Sequence, residues 1–340
     1  MLKLLLKSVK RVSLKRIAEE VGVSIATVSL VLNGKDKGGR VSKETAAKIL
    51  DKAAELNYMP NTLAKGLKLG RSKTIGLIVA DISNVFFGTL ALYIQEYAEK
   101  EGYAIIIANT NEQVKRMEKM IGLLKSRQID GLIITPTEGS EYLIKDLIKY
   151  QMPLVLVDRS YPNLPVNSVL INNYEISYKS TKQLIQQGCK NIAFITYKQD
   201  HFHINERKRG YYEAVKEAGL YKAHNIQEVR YDFLRSDIDR AISYLVKKEE
   251  KIDGIFFATN SISIAGIKSL CKYNMGLQKD IQIMCFDECD AFYLLPFSIP
   301  FVRQPIEEMA KHAIKILIDN IEGKNIEIEK CFLDAELILK

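Results

Sequence analysis

The sequence predicts a small helical domain followed by a larger α/β domain with parallel sheets. Two short helical patterns joined by a glycine open the chain within residues 12–33. From Thr74 onward, seven short apolar runs alternate with amphipathic helical patterns, which is typical of parallel sheets covered by helices on both faces. The seven runs, each predicted to be a strand, are 75–80, 104–108, 131–135, 153–157, 192–196, 254–258 and 281–286. This second region extends to Lys340. It is long for a single sheet, so we expect two lobes.

The segment 12–33, VSLKRIAEEVGVSIATVSLVLN, has the pattern of a helix-turn-helix. Ser13 and Ser24 are suited to cap two helices, because a hydroxyl accepts a hydrogen bond from a free amide at a helix start. Gly22 suits the left-handed residue that ends the first helix, and Val28 would pack beneath the helix pair. In this motif the second helix enters the DNA major groove, although any hairpin of two helices would show a similar pattern.

The charge distribution favours a nucleic-acid partner for the front of the chain. Residues 1–74 carry 16 Lys and Arg against 6 Asp and Glu, a net charge of +10, whereas the remainder carries −2. Basic segments also bind membranes. However, no stretch approaches the roughly 20 apolar residues that span a bilayer, and the apolar run 4–6 is too short for the core of an export signal. We therefore expect a cytoplasmic protein without a membrane partner.

The sequence offers no clear catalytic or metal-binding constellation. Five scattered cysteines without a CxxC pair fit reduced thiols better than disulfides or zinc. His201 and His203 have the spacing of a metal-binding pair, but no further ligand cluster accompanies them. We expect both at the rim of a cleft or in solvent. Because the chain lacks the common motifs of nucleotide-binding and hydrolytic enzymes, we predict no catalytic residues, no metal and no cofactor.

The segment 62–69, TLAKGLKL, is basic and partly apolar, and it is too short to form a stable helix alone. It fits an ordinary linker. It equally fits a helix that orders on DNA, with Leu67 as an apolar wedge in the minor groove and Lys68 at a phosphate. We divide the chain into a DNA-binding headpiece at 1–60, a hinge helix and linker at 61–73, and a core at 74–340.

Polar and aromatic side chains follow the predicted strands, where ligands bind in open α/β sheets. Asp, Asn and Arg suit hydroxyl groups, while ring faces pack on Phe, so the sequence predicts a pocket for a polar, ring-shaped ligand. Asp81, Ser83 and Asn260 could instead cap the helices that follow, and for a single residue the two roles are equally plausible. The positions are 81–87, 135–137, Asp158, Arg159, Thr196 onward, Asn260, Ser261 and Asp287.

Four segments, VSLKRIAEEVGVSIATVSLVLNG, ELNYMPNTLAKGLK, IGLIVADISNVFF and DGLIITPTEG, resemble the LacI/GalR family of bacterial repressors in order and spacing. The resemblance covers nearly the whole chain. It implies a helix-turn-helix headpiece, a hinge helix and a two-lobed core similar to periplasmic sugar-binding proteins. It also implies homodimers on double-stranded operator DNA, with a small sugar-like effector between the lobes. A solute-binding protein or a sugar-handling α/β enzyme of similar core fold is the alternative.

Carried over position by position, the resemblance also implies contact residues. Ile25, Ala26 and Leu30 match the main specificity positions of the headpiece. The best-known members have polar or charged side chains there, whereas these three side chains can touch only thymine methyl groups. The other implied DNA contacts are Ser13, Ser24, Thr27, Ser29, Asn33, Leu67 and Lys68. The implied effector contacts are Phe86, Phe87, Asp158, Arg159, Arg207, Phe233, Asn260 and Asp287.

Overall fold

The computed structural model describes residues 12–34, 40–58, 71–273, 277–324 and 327–339. The chain divides into two compact units, residues 1–70 and residues 71–340. Most of the segment expected to form a hinge helix and linker, including Leu67 and Lys68, lies outside the described residues.

The described part of the first unit contains three helices, Leu14–Val21 (α1), Ile25–Leu32 (α2) and Lys43–Glu55 (α3). The hydroxyls of Ser13, Ser24 and Ser42 each accept a hydrogen bond from the backbone amide three residues later. Gly22 follows α1 with φ +72°, and its N–H donates to the Ala18 carbonyl oxygen at 2.9 Å. The predicted caps and the predicted glycine turn are therefore confirmed.

A small apolar core lies beneath these three helices. Ala18 of α1 is buried, and Val28 of α2 is fully buried, as the sequence predicted for Val28. The buried members of this core are Ile17, Ala18, Val28, Val31, Ile49 and Ala53.

The second unit contains two six-stranded sheets, which confirms the predicted two lobes. The first lobe contains Thr74–Val79 (β1), Ala104–Asn109 (β2), Gly131–Ile134 (β3), Leu154–Val157 (β4), Asn167–Ile171 (β5) and Lys330–Leu333 (β11), in the order β11-β5-β4-β3-β1-β2. The second lobe contains Ile192–Tyr197 (β6), Ile226–Val229 (β7), Gly254–Phe257 (β8), Gln282–Phe286 (β9), Phe301–Arg303 (β10) and Glu336–Ile338 (β12), in the order β12-β10-β9-β8-β6-β7. Only the β10–β12 pair is antiparallel among these strands.

Helices pack on the sheets, as parallel strands require. They are Val85–Lys100 (α4), Val114–Ser126 (α5), Glu141–Lys149 (α6), Asn173–Gln186 (α7), Phe202–Glu217 (α8), Leu234–Lys247 (α9), Asn260–Leu270 (α10) and Ile306–Glu322 (α11). None of the helices in the described ranges is long and apolar enough to cross a bilayer.

The chain passes between the two lobes three times, near residues 171–173, 303–306 and 333–336. Asn172 ties the first passage to the third. Its Nδ2 donates to Asp334 Oδ1 at 2.7 Å, and its Oδ1 accepts from the Ala335 N–H at 2.9 Å. Because α11 and β11 complete the first lobe, neither lobe is a continuous stretch of sequence.

Gly210 marks the closest approach of α8 to α7. A Cβ at this position would lie 2.4 Å from the Tyr174 carbonyl oxygen and 2.8 Å from the Tyr178 nitrogen. We expect Gly210→Ala to lower the free energy of unfolding by about 1–3 kcal/mol in urea denaturation, because the α7 backbone must move. Gly122→Ala is the matched control. That exposed helical glycine has open space at its Cβ, so alanine should stabilise by roughly 0.5–1 kcal/mol. Equal effects of both substitutions would contradict this account.

Candidate functional site

The outward surface of α2 is the candidate DNA-reading surface of the first unit. Ile25 is 48% exposed, and the neighbouring Ala26 is exposed as well. Both lie in the first turn of α2, which in this motif contacts base edges. Leu30 is half-buried, so it offers less surface than the other two apolar specificity positions. Together they form a short apolar strip on the outward side of α2.

Hydroxyl and amide groups cluster at both ends of α2. At its start, the hydroxyls of Ser24 and Thr27 lie 2.8 Å apart. At its end, Asn33 Nδ2 donates to the Ser29 carbonyl oxygen at 2.7 Å. Ser13, at the start of α1, is exposed like Ser24 and Asn33. These neutral donors and acceptors are of the kind that bind DNA phosphates and thereby fix the orientation of a recognition helix.

The carboxyl ends of strands from both lobes border one cleft. Its lining residues are Asp81, Asn84, Phe86, Phe87, Glu112, Asp158, Arg159, Tyr197, Gln199, His203, Ile204, Arg207, Tyr231, Thr259, Asn260, Ser261, Asp287 and Gln304. The cavity volume is about 60 Å³, several times the roughly 10–15 Å³ that one ordered water needs. A larger ligand therefore requires the lobes to separate or the side chains of the wall to rearrange.

Two aspartates occupy equivalent places in the two lobes. Asp158 directly follows β4 and Asp287 directly follows β9, with left-handed φ values of +67° and +71°. Aspartate tolerates this backbone better than most residues with a Cβ, and in both lobes it turns the chain at the end of a strand. Burial raises the pKa of the Asp158 carboxyl to about 6, against the opposing effect of the charges of Arg159 and Arg207. Each lobe thus directs a buried carboxyl group into the cleft.

Arg159 is held by an acidic partner inside the cleft. Its Nη2 and Nη1 donate to Glu112 Oε1 and Oε2 at 2.6 and 2.8 Å. Nη1 also lies 3.2 Å from His201 Nε2. The Nε atom lies 3.5 Å from Asp158 Oδ2, yet it has no hydrogen-bond partner among the described residues. Burial lowers the pKa of Arg159, but the charge and hydrogen bonds of Glu112 outweigh burial and raise it overall.

Arg207 forms part of the opposite wall, on α8. Its Nε donates to Asn173 Oδ1 at 2.7 Å and its Nη1 donates to the Ala258 carbonyl oxygen at 2.8 Å. The guanidinium lies 3.4 Å from the centre of the Phe286 ring, a cation–π contact. Burial lowers the pKa of Arg207, partly offset by the charges of Asp287 and Asp158. Arg207 therefore stabilises the second-lobe side of the cleft through these contacts and also lines the cleft.

His201 and His203 lie inside the protein, not at the cleft rim or in solvent as expected from the sequence. Both side chains are buried because α8 begins at Phe202 and turns them toward the arginines. Burial and the charge of Arg159 lower the pKa of His201 to about 2, and burial lowers the pKa of His203 well below its usual value. Both imidazoles are therefore neutral at physiological pH. The described residues contain no group of three or more side chains suited to a metal ion.

Direct hydrogen bonds between the lobes hold the cleft closed. Asn84 and Asn260 exchange a reciprocal pair of amide hydrogen bonds at 3.1 and 3.0 Å. The Tyr231 hydroxyl donates to Asp81 Oδ2 at 3.3 Å. These bonds, together with the Arg159–His201 contact, link side chains that the sequence places far apart.

Two helices begin beside these cross-lobe contacts, and Asn84 both caps one of them and joins the lobes. Asn84 caps α4 by accepting from the Phe86 N–H at 2.9 Å, and Thr259 caps α10. Asp81, Ser83 and Asn260, which were candidate caps from the sequence, do not cap those helices. Asp81 and Asn260 instead line the cleft.

The structure brings seven of the eight implied effector residues to the cleft. Phe86 and Phe87 form an edge-to-face pair with ring centres 5.1 Å apart. Phe233 is not among the lining residues. It is 54% exposed at the start of α9, where Arg230 stacks on its ring. The one-turn helix Tyr231–Phe233 instead directs Tyr231 into the cleft.

The sequence reasoning missed several lining residues, above all Glu112. It lies three residues beyond β2, so the rule that ligands bind beyond strand ends could have found it. Tyr197, the last residue of β6, lies in the stretch from Thr196 onward that the sequence singled out. Tyr231 follows β7, a half-exposed edge strand whose sequence IQEV carries no clear strand pattern.

Comparisons with known proteins agree with this architecture. The family described as bacterial regulatory proteins, lacI family, matches residues 13–61. The family described as periplasmic binding proteins and sugar binding domain of LacI family matches residues 72–295.

Individual relatives match along nearly the whole chain. The HTH-type transcriptional regulator RegA of Clostridium saccharobutylicum is 32% identical over 327 residues, covering 96% of this chain and 97% of that protein. The ribose operon repressor of Halalkalibacterium halodurans is 31% identical over 328 residues, covering 96% of each. A solved structure of the lac repressor dimer bound to operator and an anti-inducer shares the fold, with a TM-score of 0.84 over 97% of this chain and 98% of that one, at 18% identity.

These matches join a helix-turn-helix to the two-lobed core within single proteins, as in this chain. They favour a regulator over a solute-binding protein or an enzyme of similar core fold. The chain belongs to the LacI family of bacterial regulatory proteins, and it is a DNA-binding regulator of transcription, not an enzyme.

Proposed function

We propose that this protein is a cytoplasmic repressor that binds its operator as a homodimer. A sugar or sugar derivative bound in the cleft raises or lowers its affinity for the operator. The observation that carries the proposal is the cleft itself. It places buried carboxyl groups, guanidinium groups and an aromatic pair at the strand ends of both lobes. The unit that precedes this core in the chain contains α2, the candidate recognition helix, whose first turn is exposed.

The apolar strip on α2 supports direct reading of thymine. Ile25 and Ala26 lack the donors and acceptors that read guanine or adenine, whereas methyl groups pack well on methyl groups. We expect the hydroxyls of Ser24, Thr27 and Ser29 to bind phosphates beside that contact. One such headpiece contacts few base pairs, so we expect two linked headpieces, whose effective concentration strengthens binding.

We expect Ile25→Asn to change the base preferred at one position in each operator half-site. The wild-type site should be bound less tightly by about 1 kcal/mol or more, as measured by selecting duplexes from a random pool with each variant. Leu50→Asn is the control, because Leu50 is similarly exposed but lies on α3. An unchanged base preference with Ile25→Asn, or an equal change with Leu50→Asn, would remove Ile25 from the reading surface.

An exposed apolar surface on the first lobe supports dimer formation. The outer strand β2 leaves Ile106 and Ile107 exposed at the sheet edge, and α4 and α5, which pack against β2, add exposed Leu92 and Leu123. Apolar patches at an open sheet edge are typical interaction surfaces. We propose that a second copy of this chain covers this surface, as two headpieces on one operator require.

Ile107→Glu should convert the dimer to a monomer in analytical ultracentrifugation, because it places a charge in the middle of the proposed contact. Ile107 is 43% exposed, so the substitution should not unfold the protomer. Tyr142→Glu serves as the control, since Tyr142 is 47% exposed on α6. A wild-type protein that sediments as a monomer at micromolar concentration would refute the dimer.

The polar wall of the cleft supports a hydroxyl-bearing effector. Asp158 offers carboxylate oxygens beside the unpartnered Arg159 Nε, so adjacent hydroxyls of a sugar would find an acceptor and a donor together. Phe86 and Phe87 supply apolar ring faces for the other side of such a ligand. The relatives include a ribose operon repressor, which makes D-ribose a suitable first probe.

The effector acts by its preference for one arrangement of the lobes. Only a difference in affinity between two states can shift their populations, and couplings of about 1–3 kcal/mol are typical for allosteric proteins. In this chain the cross-lobe bonds of Asn84 with Asn260 and of Tyr231 with Asp81 are the contacts that a bound sugar would replace or reinforce.

Asp158→Asn should stabilise the protein at pH 7.5 and abolish the response of DNA binding to the effector. The folded-state pKa of Asp158 is raised to about 6 from its ordinary 3.8. The ionised carboxylate therefore destabilises the folded state above pH 6, and the cost disappears as pH falls through 6 toward 4. At about 1.4 kcal/mol per pKa unit, the gain at pH 7.5 is on the order of 3 kcal/mol.

Urea denaturation at pH 7.5 and pH 4.5 measures this gain, which should shrink at the lower pH. Asp146→Asn, on the exposed side of α6, should show no comparable pH-dependent difference. A destabilised Asp158→Asn protein at pH 7.5 would contradict the account of its burial. An intact effector response in that variant would exclude Asp158 as a contact.

A further inference from the structure

Glu112 occupies an unusual place in the cleft. It lies in the loop between β2 and α5, and both it and the preceding Asn111 have left-handed backbones, with φ +57° and +51°. Two consecutive residues of this kind are costly unless surrounding contacts hold them. The side chain turns inward, where it is 7% exposed, and pairs with Arg159, which is 8% exposed. The loop thus delivers one carboxylate to one guanidinium inside the protein.

The pair uses the geometry by which arginine ordinarily binds anions. The two Glu112 oxygens accept from Nη1 and Nη2 of Arg159 in parallel, and this fork is the arrangement in which Arg binds a phosphate or carboxylate of a ligand. An anionic ligand that bound Nη1 and Nη2 of Arg159 would leave the Glu112 carboxylate buried and unpaired, which is strongly unfavourable. The carboxylate of Glu112 therefore already occupies the place where such an anion would bind.

The remaining charges of the cleft also oppose an anion. Arg159 and Arg207 face the carboxyl groups of Glu112, Asp158 and Asp287, and a further acidic side chain, that of Asp81, completes the lining. The two buried imidazoles are neutral and add no positive charge. The Arg207 guanidinium donates to the Asn173 amide and the Ala258 carbonyl, so two of its nitrogens are engaged as well.

We propose that Glu112 is a specificity-determining residue that restricts the effector to uncharged polyhydroxyl compounds by blocking the Arg159 fork to phosphorylated and carboxylated ones. The inference rests on the proposed effector function of the cleft and narrows it. A neutral sugar leaves the Glu112–Arg159 pair intact and bonds to Asp158 and to Arg159 Nε, which the pair does not use. Selectivity then arises from a group that opposes the wrong ligand, and not only from groups that attract the right one.

The test compares anion binding by the full-length wild type and by Glu112→Gln, with inorganic phosphate and D-ribose 5-phosphate as probes in calorimetric titrations. Glutamine keeps the size of the side chain and removes the charge. We expect Glu112→Gln to bind both probes roughly ten-fold tighter or more than the wild type, as a freed buried guanidinium allows. The wild type should bind D-ribose more tightly than D-ribose 5-phosphate.

Two further variants trace the gain to the Arg159 fork. Glu206→Gln is the matched control. Both carboxylate oxygens of Glu206 also accept hydrogen bonds from one arginine, from Nε and Nη2 of Arg209, but this pair lies on the outer surface of α8. It should leave phosphate affinity unchanged, and it reports the background from the basic headpiece. The double variant Glu112→Gln/Arg159→Gln should lose the gain. If the Glu112→Gln protein does not fold, Glu112→Asn replaces it, since asparagine tolerates the left-handed backbone of position 112 well.

Two results overturn the proposal. One is a wild-type protein that binds D-ribose 5-phosphate at least as tightly as D-ribose. The other is no gain in phosphate affinity on neutralising Glu112. Both results come from ligand titrations without DNA, so they test the role of Glu112 separately from the proposed function. The proposed function fails if the wild-type protein prefers no duplex over random competitor DNA, with or without sugars.

Discussion

Two guanidinium groups buried between the lobes set the main constraint on this structure. A buried charge is tolerated only when it is paired and hydrogen-bonded. Arg159 is paired with Glu112, which belongs to the same lobe. Arg207 is hydrogen-bonded to Asn173 and the Ala258 carbonyl, lies against the face of Phe286, and has the charges of Asp287 and Asp158 nearby. Each lobe therefore holds its own guanidinium group at the cleft, and the contact of Arg159 with His201 joins the two lobes.

The same constraint makes the cleft responsive. The hydrogen bonds between the lobes are polar contacts, so each can be exchanged for a contact with a ligand or with water at small net cost. The central strands of each lobe are almost fully buried, and one apolar cluster includes side chains of both lobes. The polar contacts of the cleft are therefore the part of the lobe interface that a ligand can exchange.

Much of the fold could be read from the sequence because its signals are local. Alternating apolar runs identified seven strands, and serine caps with Gly22 identified the helix-turn-helix. The strands that escaped were short or mixed in polarity, such as β7 with its glutamine and glutamate, and β11 and β12 near the chain end.

The site was predictable to the extent that strand ends reveal it. Asp158, Arg159 and Asp287 follow recognisable strands. The pairing of Arg159 with Glu112 depends on two left-handed residues in a loop, and the burial of the two histidines that flank Phe202 depends on where α8 begins. Neither has a sequence pattern, because both result from tertiary contacts. Phe233 was expected in the cleft, but it is exposed. The one-turn helix Tyr231–Phe233 directs Tyr231 into the cleft instead, and this turn has no sequence pattern either.

The three passages of the chain between the lobes bear on how the protein is made. The first unit has its own small core, so its helices can form as soon as they leave the ribosome. The first lobe must wait for α11 and β11, and the second lobe waits for β12, which ends at Ile338. A nascent chain therefore completes its helix-turn-helix unit long before either lobe of the core. A product truncated before α11 would keep that unit but could complete neither lobe, and it would lack both the cleft and the surface proposed to join two copies.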